Sequence, residues 1–146
     1  MDTRIGIARK HLFLPSEEFE LIREHAEAAF PNECCGFFYG KVDDYTIAVS
    51  EIHPVDNAKE GDQRRRFEIS PLDYMRAEQY ALESGLQLLG VYHSHPNHPA
   101  IPSVHDWRQA VPNFSYIIIS VKDGKYDHIK SWRLSKGGPF IEENII

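Results

Sequence analysis

The segment that most constrains the fold runs from Leu86 to Pro96, where an apolar stretch ends in two histidines and a proline. Residues 86–93 are the most hydrophobic strand candidate in the chain, and such a run is typical of a buried strand. Pro96 has no backbone N–H and cannot continue a central strand, so the strand is expected to end there. His95 then lies at a strand end, where functional sites are commonly built.

Helices and further strands are predicted on both sides of this segment. One helix is expected from Ser16, as its capping residue, to about Phe30, and a second from Ser70-Pro71 to Gly85. A third, short helix is predicted at residues 103–110. Strands are predicted at residues 35–39, 45–53, 67–69, 116–121, 126–134 and 140–146, the last at a sheet edge. The predicted fold class is α/β (α+β), with one central sheet.

Length and charge limit the classes of protein that fit. The chain has 146 residues, and residues 1–146 are interpreted as one domain because two would each approach the lower limit for an independent core. A core of this size folds without a metal or a disulfide, so any metal site is expected to serve chemistry. The formal net charge of −6 argues against nucleic acid as a partner.

The sequence favours a reducing, cytoplasmic setting. Cys34 and Cys35 are adjacent, and a bridge between neighbours would be strained, so a disulfide framework is not expected. Residues 1–10 lack the apolar run of a signal peptide. No stretch approaches 18 apolar residues, so no membrane span is predicted.

His93, His95 and Asp106 have the spacing of metal ligands. Side chains at positions i and i+2 of a strand point the same way, so the two imidazoles can converge on one ion. Asp106 can add an oxygen ligand from the first turn of the following helix. Two histidines and one carboxylate leave one tetrahedral position for water, which is the open arrangement of a catalytic zinc, one Zn²⁺ per chain.

Ordinary explanations stay open at this point. A His-x-His pair is often a surface feature, and Ser103-x-x-Asp106 is also a capping-box variant that by itself indicates a well-started helix. A hydrolytic zinc needs a general base, and Glu33 is a candidate because a carboxylate entering an apolar strand is costly without a role. The alternative for Glu33 is a solvated loop glutamate.

Two segments resemble the JAB/MPN metalloprotease family, the JAMM motif proteins. They are Glu33-Cys34-Cys35-Gly36-Phe37-Phe38-Tyr39-Gly40 and His93-Ser94-His95-Pro96…Ser103…Asp106. The resemblance implies a JAB/MPN-like (cytidine-deaminase-like) architecture, a curved and mostly antiparallel sheet flanked by helices. It implies that His93, His95 and Asp106 hold zinc and that Glu33 is the acid/base. It also implies that Ser103 helps to hold the oxyanion or the activated water.

The same resemblance implies a substrate class. The family cleaves peptide or isopeptide bonds after the C-terminal glycine tail of ubiquitin or ubiquitin-like proteins. The short chain is similar to the compact bacterial branch, which implies a zinc metallopeptidase that processes a small ubiquitin-like sulfur-carrier protein. The sequence leaves a homodimer open.

Asn57, Arg64 and Arg66 are predicted to grip the extended tail of the substrate, because arginine holds carboxylates and backbone oxygens in bidentate fashion. Their alternative is a solvated loop. His98 and His105 are interpreted as loop and helix-surface residues that do not share the ion.

Three rival functions remain. A RadC-like DNA-associated protein carries a comparable histidine segment, and the negative charge speaks against it. A non-catalytic MPN-fold binding scaffold would not need the complete ligand set. A cell-wall peptidase of the same superfamily would be expected to have a signal sequence.

Overall fold

A computed structural model describes residues 11–135 and 137–146. Its strands are β1 (His11–Phe13), β2 (Cys35–Val42), β3 (Thr46–Val55), β4 (Gln87–Pro96), β5 (Ser115–Lys122), β6 (Lys125–Leu134) and β7 (Phe140–Ile145). Its helices are α1 (Ser16–Ala29), α2 (Pro71–Ser84) and α3 (Val104–Gln109).

One sheet contains all of these strands, in the order β1-β3-β2-β4-β5-β6-β7. The pairs β2/β3, β2/β4, β5/β6 and β6/β7 are antiparallel, whereas β4/β5 and both pairs of β1 are parallel. The predicted mostly antiparallel sheet with flanking helices is therefore confirmed. The prediction of a C-terminal edge strand is wrong, because β7 also pairs with β1 and closes the sheet, with Leu12 opposite Ile145.

Helices α1 and α2 mark two separate apolar clusters. Ile22 and Ala26 of α1 belong to a cluster with Phe38 of β2. Ala77 of α2 belongs to a second cluster with Phe37, the neighbouring residue of the same strand. Successive side chains of a strand point to opposite faces, so β2 contributes to both clusters. Strand β4 is also buried along most of its length, which explains its nearly continuous apolar sequence.

The start and end of α2 are as the sequence predicts. The Ser70 side chain accepts a hydrogen bond from the Asp73 N–H at 3.1 Å, and Pro71 is the first helical residue. Gly85 ends the helix with a φ of 77°, a left-handed conformation that glycine adopts without a Cβ clash.

Two local predictions are wrong. Ser16 does not cap α1; the helix is preceded by Pro15 and has no side-chain cap hydrogen bond. Residues 67–69 do not form a strand, although Phe67 and Ile69 are buried. The reason is that the backbone of Glu68 bonds to the neighbouring loop, donating to Asn57 Oδ1 and accepting from the Ala58 N–H.

No helix among the described residues is long and apolar enough to cross a membrane. Residues 1–10, from which the absence of a signal peptide was predicted, lie outside the described residues.

Candidate active site

The two histidines at the end of β4 converge on one carboxylate. His93 Nε2 lies 3.2 Å from His95 Nε2 and 3.3 Å from Asp106 Oδ2, and His95 Nε2 lies 3.2 Å from the same oxygen. All three side chains are buried. The strand ends at Pro96, as predicted, so the chain turns back immediately after the second histidine.

Asp106 is oriented by the start of helix α3. The Ser103 hydroxyl accepts a hydrogen bond from the Asp106 N–H at 3.1 Å, while Asp106 Oδ2 accepts one from the Ser103 N–H at 2.8 Å. This is a complete capping box. The ordinary explanation of the Ser103-x-x-Asp106 pattern is therefore correct, and the same contacts turn the carboxylate toward the histidines.

The residues fit a zinc ion. Bonds of about 2.0–2.1 Å in a tetrahedral arrangement place neighbouring ligand atoms roughly 3.3 Å apart, close to the three distances given above. Among the described residues these three side chains are the group whose ligand atoms could hold a metal. Glu33 Oε1, also buried, has no hydrogen-bond partner in the described part of the chain. Two imidazole nitrogens and a carboxylate oxygen are a donor set that zinc uses in catalytic sites.

The two histidines are held differently. His95 Nδ1 donates to the Pro99 carbonyl at 2.8 Å, which leaves Nε2 as the nitrogen that faces the site. His93 stacks on Phe67 with ring centroids 4.4 Å apart. Its Nδ1 is buried without a hydrogen-bond partner among the described residues. His93 is thus fixed by packing and His95 by a hydrogen bond.

The charges of the cluster are strongly coupled. Burial lowers the pKa of His93, which favours its neutral form. Burial also acts to lower the pKa of His95, but the hydrogen bond to Asp106 and its charge outweigh burial and raise that pKa. Burial alone would raise the pKa of Asp106, but the two histidines outweigh it and hold that pKa well below its usual range. A proton and a metal ion therefore compete for this cluster.

Glu33 lies just before β2 and is positioned through its backbone. Its N–H donates to the Gln63 carbonyl at 2.8 Å, and its carbonyl accepts from Asn57 Nδ2 at 3.1 Å. The next residue, Cys34, donates its N–H to the Ser94 hydroxyl at 2.8 Å. Glu33 is thereby tied both to the loop that follows β3 and to the strand that carries His93 and His95.

The Glu33 carboxyl is 4% exposed, so it is not a solvated loop residue. Burial raises its pKa to about 8, with a lowering contribution from the charge of His95 and a raising one from Asp106. The carboxyl is therefore close enough to both residues to interact with their charges. A buried carboxyl with a pKa near neutrality, beside a candidate metal cluster, has the properties of an acid/base group.

The predicted substrate-binding residues lie in the loop between β3 and α2. The Asn57 side chain donates to the carbonyls of Glu33 and Arg66 and accepts from the N–H groups of Lys59 and Glu68. Arg64 is exposed and pairs with Asp62 at 3.0 Å, and Arg66 is exposed. The loop thus touches Glu33 through Asn57 and presents its arginines to solvent.

Neither His98 nor His105 belongs to the group of candidate metal ligands. His98 is exposed, with its ring centroid 6.4 Å from that of His95.

A groove of about 720 Å³ lies near the opposite end of β4, at Gln87 and Leu88, and includes none of the cluster residues. The groove and the candidate metal cluster are therefore separate features of the structure.

Sequence reasoning missed several supporting contacts. The Ser94 hydroxyl, between the two histidines in sequence, anchors the residue that follows Glu33. Its place between two same-facing residues of a strand could have predicted a partner on the neighbouring strand. The stacking of Phe67 on His93 could not be predicted from the sequence. The two residues lie in separate segments, and a local hydrophobic pattern does not show which distant segments meet.

Comparisons with known proteins place this geometry in a family. A family described as prokaryotic homologs of the JAB domain matches residues 15–135. The chain is 28% identical over 127 residues to a probable TtuB-protein conjugate cleaving protease of Thermus thermophilus, covering 86% of this chain and 78% of that protein. It is 33% identical over 104 residues to a desampylase of Haloferax volcanii, covering 70% of this chain and 72% of that protein.

Solved structures agree in fold. A solution structure of a protein from Desulfitobacterium hafniense is similar with a TM-score of 0.80 and 34% identity, covering 92% of this chain and 91% of that one. A JAB1/MPN domain protein from Archaeoglobus fulgidus has the same fold, with a TM-score of 0.54 and 17% identity, covering 95% of this chain and 99% of that one. The chain belongs to the family of prokaryotic homologs of the JAB domain.

Proposed function

We propose that the protein is a zinc-dependent metallopeptidase that hydrolyses the bond after the C-terminal Gly-Gly tail of a ubiquitin-like, sulfur-carrier protein. The observation that carries the proposal is the convergence of His93, His95 and Asp106 beside the buried carboxyl of Glu33. The names of the relatives, a conjugate-cleaving protease and desampylases, support a hydrolase that acts on protein conjugates.

His93, His95 and Asp106 would hold the zinc ion through Nε2, Nε2 and a carboxylate oxygen. Zinc bound there supplies Lewis-acid polarisation of the scissile carbonyl and lowers the pKa of an attacking water to roughly 7. The buried surroundings of the cluster strengthen every electrostatic interaction within it.

Glu33 takes the proton of the attacking water and passes it to the leaving amine. A group that must first accept and then return a proton works best when its pKa is close to the working pH. Burial brings the Glu33 carboxyl into that range. The hydrogen bonds of its backbone to Gln63 and Asn57 hold it in place during both transfers.

Ser103 stabilises the oxyanion that develops on the scissile carbonyl. Its oxygen accepts the Asp106 N–H, so its hydroxyl proton remains available to donate toward the site. A donor aimed at developing charge is worth more in the transition state than in the bound substrate.

The loop that contains Asn57, Arg64 and Arg66 grips the extended tail of the carrier. The two arginines are exposed and can donate to backbone oxygens of a peptide lying against the loop. Asn57 would act by holding the loop in shape, because its amide already bonds to four backbone groups.

We place the enzyme in the cytoplasm, with the carrier and not nucleic acid as its partner.

The test uses fusions of candidate carriers that end in Gly-Gly followed by a short peptide. Intact mass is recorded after incubation with enzyme alone, with a chelator, and with chelator followed by zinc. We expect cleavage after the second glycine, its loss with chelator, and its return with zinc. Glu33→Gln should be inactive while Glu24→Gln, a change at an exposed glutamate of helix α1, stays active.

Two outcomes would overturn the proposal. A protein that takes up no zinc, judged by metal analysis, and cleaves no Gly-Gly fusion would be a scaffold. Salt-resistant binding to DNA without peptidase activity would favour the RadC-like alternative.

A further inference from the structure

We propose that His128, on strand β6, is a positioning residue for the metal ligand His95. It acts by fixing the Pro99–Ala100 segment, whose carbonyl orients the His95 ring. The inference rests on the proposed metal site but concerns a contact that exists in the protein without metal.

The first step is the hydrogen bond between His95 and Pro99. Because a carbonyl only accepts, Nδ1 of His95 carries a proton, and Nε2 is the nitrogen that lies 3.2 Å from His93 Nε2 and from Asp106 Oδ2. The Pro99 carbonyl also accepts the Ile101 N–H at 2.8 Å. The direction of this carbonyl therefore decides which nitrogen of His95 faces the metal.

The second step is the fixation of the next residue from both sides. The Ala100 N–H donates to His128 Nε2 at 2.9 Å, and the Ala100 carbonyl accepts from Trp132 Nε1 at 3.0 Å. Ala100 is fully buried. The Ala100 N–H and the Pro99 carbonyl belong to the same peptide unit, so this unit cannot rotate without breaking the hydrogen bond to His128. The Ala100 carbonyl belongs to the next peptide unit, which Trp132 holds.

The third step is the state of His128 itself. A backbone N–H only donates, so Nε2 of His128 is unprotonated and its proton lies on Nδ1. There it donates to Asp127 Oδ2 at 2.6 Å. Only this tautomer accepts from Ala100, and it is the one that the neighbouring aspartate favours.

The fourth step is the fixed position of strand β6, which carries His128 and Trp132, relative to strand β4, which carries His95. His128 lies opposite Ser120 on β5, and Trp132 lies opposite Tyr116. Strand β5 pairs along its length with β4, where His95 lies opposite the same Ser120. The loop after β4 is therefore held against the β5–β6 hairpin. Because β5 pairs directly with β4, this hairpin has a fixed position relative to His95.

The test compares His128→Ala, His128→Gln and His98→Ala. Glutamine keeps an acceptor that can reach the Ala100 N–H, and His98 is an exposed histidine of the same loop with no part in the fixation. Zinc affinity is measured by chelator competition. We expect His128→Ala to weaken zinc binding at least 10-fold, the usual scale for residues that orient a ligand, and His128→Gln to recover most of the loss. His98→Ala should stay within about twofold of wild type.

A second measurement needs no metal. The imidazole nitrogen and proton chemical shifts of His95 in the metal-free protein report whether Nδ1 carries a hydrogen-bonded proton. We expect the Nδ1–H to Pro99 hydrogen bond in the wild type and in His128→Gln, and its weakening in His128→Ala. Trp132→Phe, which removes the donor to the Ala100 carbonyl, should weaken it in the same direction and serves if His128→Ala does not fold.

Unchanged zinc affinity and an unchanged hydrogen bond from His95 Nδ1 to Pro99 in His128→Ala would overturn the inference. Failure of the proposed function looks different, since a wild-type protein that takes up no zinc would still show whether His128 controls that hydrogen bond.

Discussion

The metal cluster and the loop from Asn57 to Arg66 both contact the surroundings of Glu33, but they are held in different ways. The cluster residues are buried on a central strand and in a capping box, and each is fixed by neighbours from other elements. The loop is fixed at its base by Asn57, while Arg64 and Arg66 are exposed. From the proposed function we therefore expect that changes in the cluster lower kcat and that changes in the loop raise KM.

The largest effect should come from Glu33→Gln. Loss of a positioned acid/base group costs about 10²–10⁴-fold in rate, and the substitution leaves the three metal ligands intact. We therefore expect kcat to fall by this factor with little change in KM or zinc content. Steady-state kinetics with Glu24→Gln as control test it, and a selective rise in KM would contradict the division between the regions.

The same substitution should stabilise the metal-free protein. The pKa of Glu33 is about 8 in the folded protein and near 4.5 in the unfolded chain. The free energy of unfolding therefore falls as pH rises between these two values. Below pH 4.5 the carboxyl is protonated in both states and Glu33→Gln should change nothing. At pH 7 it should add on the order of 3 kcal/mol to the free energy of unfolding.

Urea unfolding measures this effect when wild type and Glu33→Gln, both freed of metal with a chelator, are compared at pH 4.5, 6, 7 and 8.5. The lowest of these pH values equals the ordinary pKa of a glutamate carboxyl, 4.5. An equal difference at every pH would mean that the buried charge is not its cause. The loop offers no counterpart to this buried carboxyl, since Arg64 and Arg66 are exposed.

Ser103→Ala should have the next largest effect on rate. It removes the proposed oxyanion donor, for which a loss of about 10²-fold in kcat is typical, and it removes a helix cap worth about 1 kcal/mol. Ser103→Thr keeps both functions and should retain most activity. Equal zinc content in the two variants, checked by metal analysis, separates the loss of the donor from displacement of Asp106.

The smallest effect should come from reversing the charges of the loop. We expect Arg64→Glu combined with Arg66→Glu to raise KM several-fold through lost contacts with the tail, with kcat nearly unchanged. Lys122→Glu combined with Lys125→Glu changes the net charge equally at exposed positions of the β5–β6 hairpin. A similar rise in KM in both double variants would assign the effect to overall charge and not to the loop.

The parts that the sequence predicts correctly are those set by local periodicity. His93 and His95 face the same way because side chains alternate along a strand, and Ser103 starts a helix because its hydroxyl caps the third residue. The parts that it misses depend on distant partners. Residues 67–69 look like a strand but bond to Asn57 and Ala58, and β7 looks like an edge although it meets β1. Nothing in either segment specifies its partner.

The capping box links the orientation of one candidate metal ligand to the folding of helix α3. Six residues are too few for a helix that is stable alone, so α3 depends on its first turn being nucleated. The carboxylate that nucleates it is the one presented to the histidines. The beginning of this helix and one ligand of the centre therefore form together, and slow amide exchange at Asp106 and Trp107 would mark the molecules in which the centre is assembled.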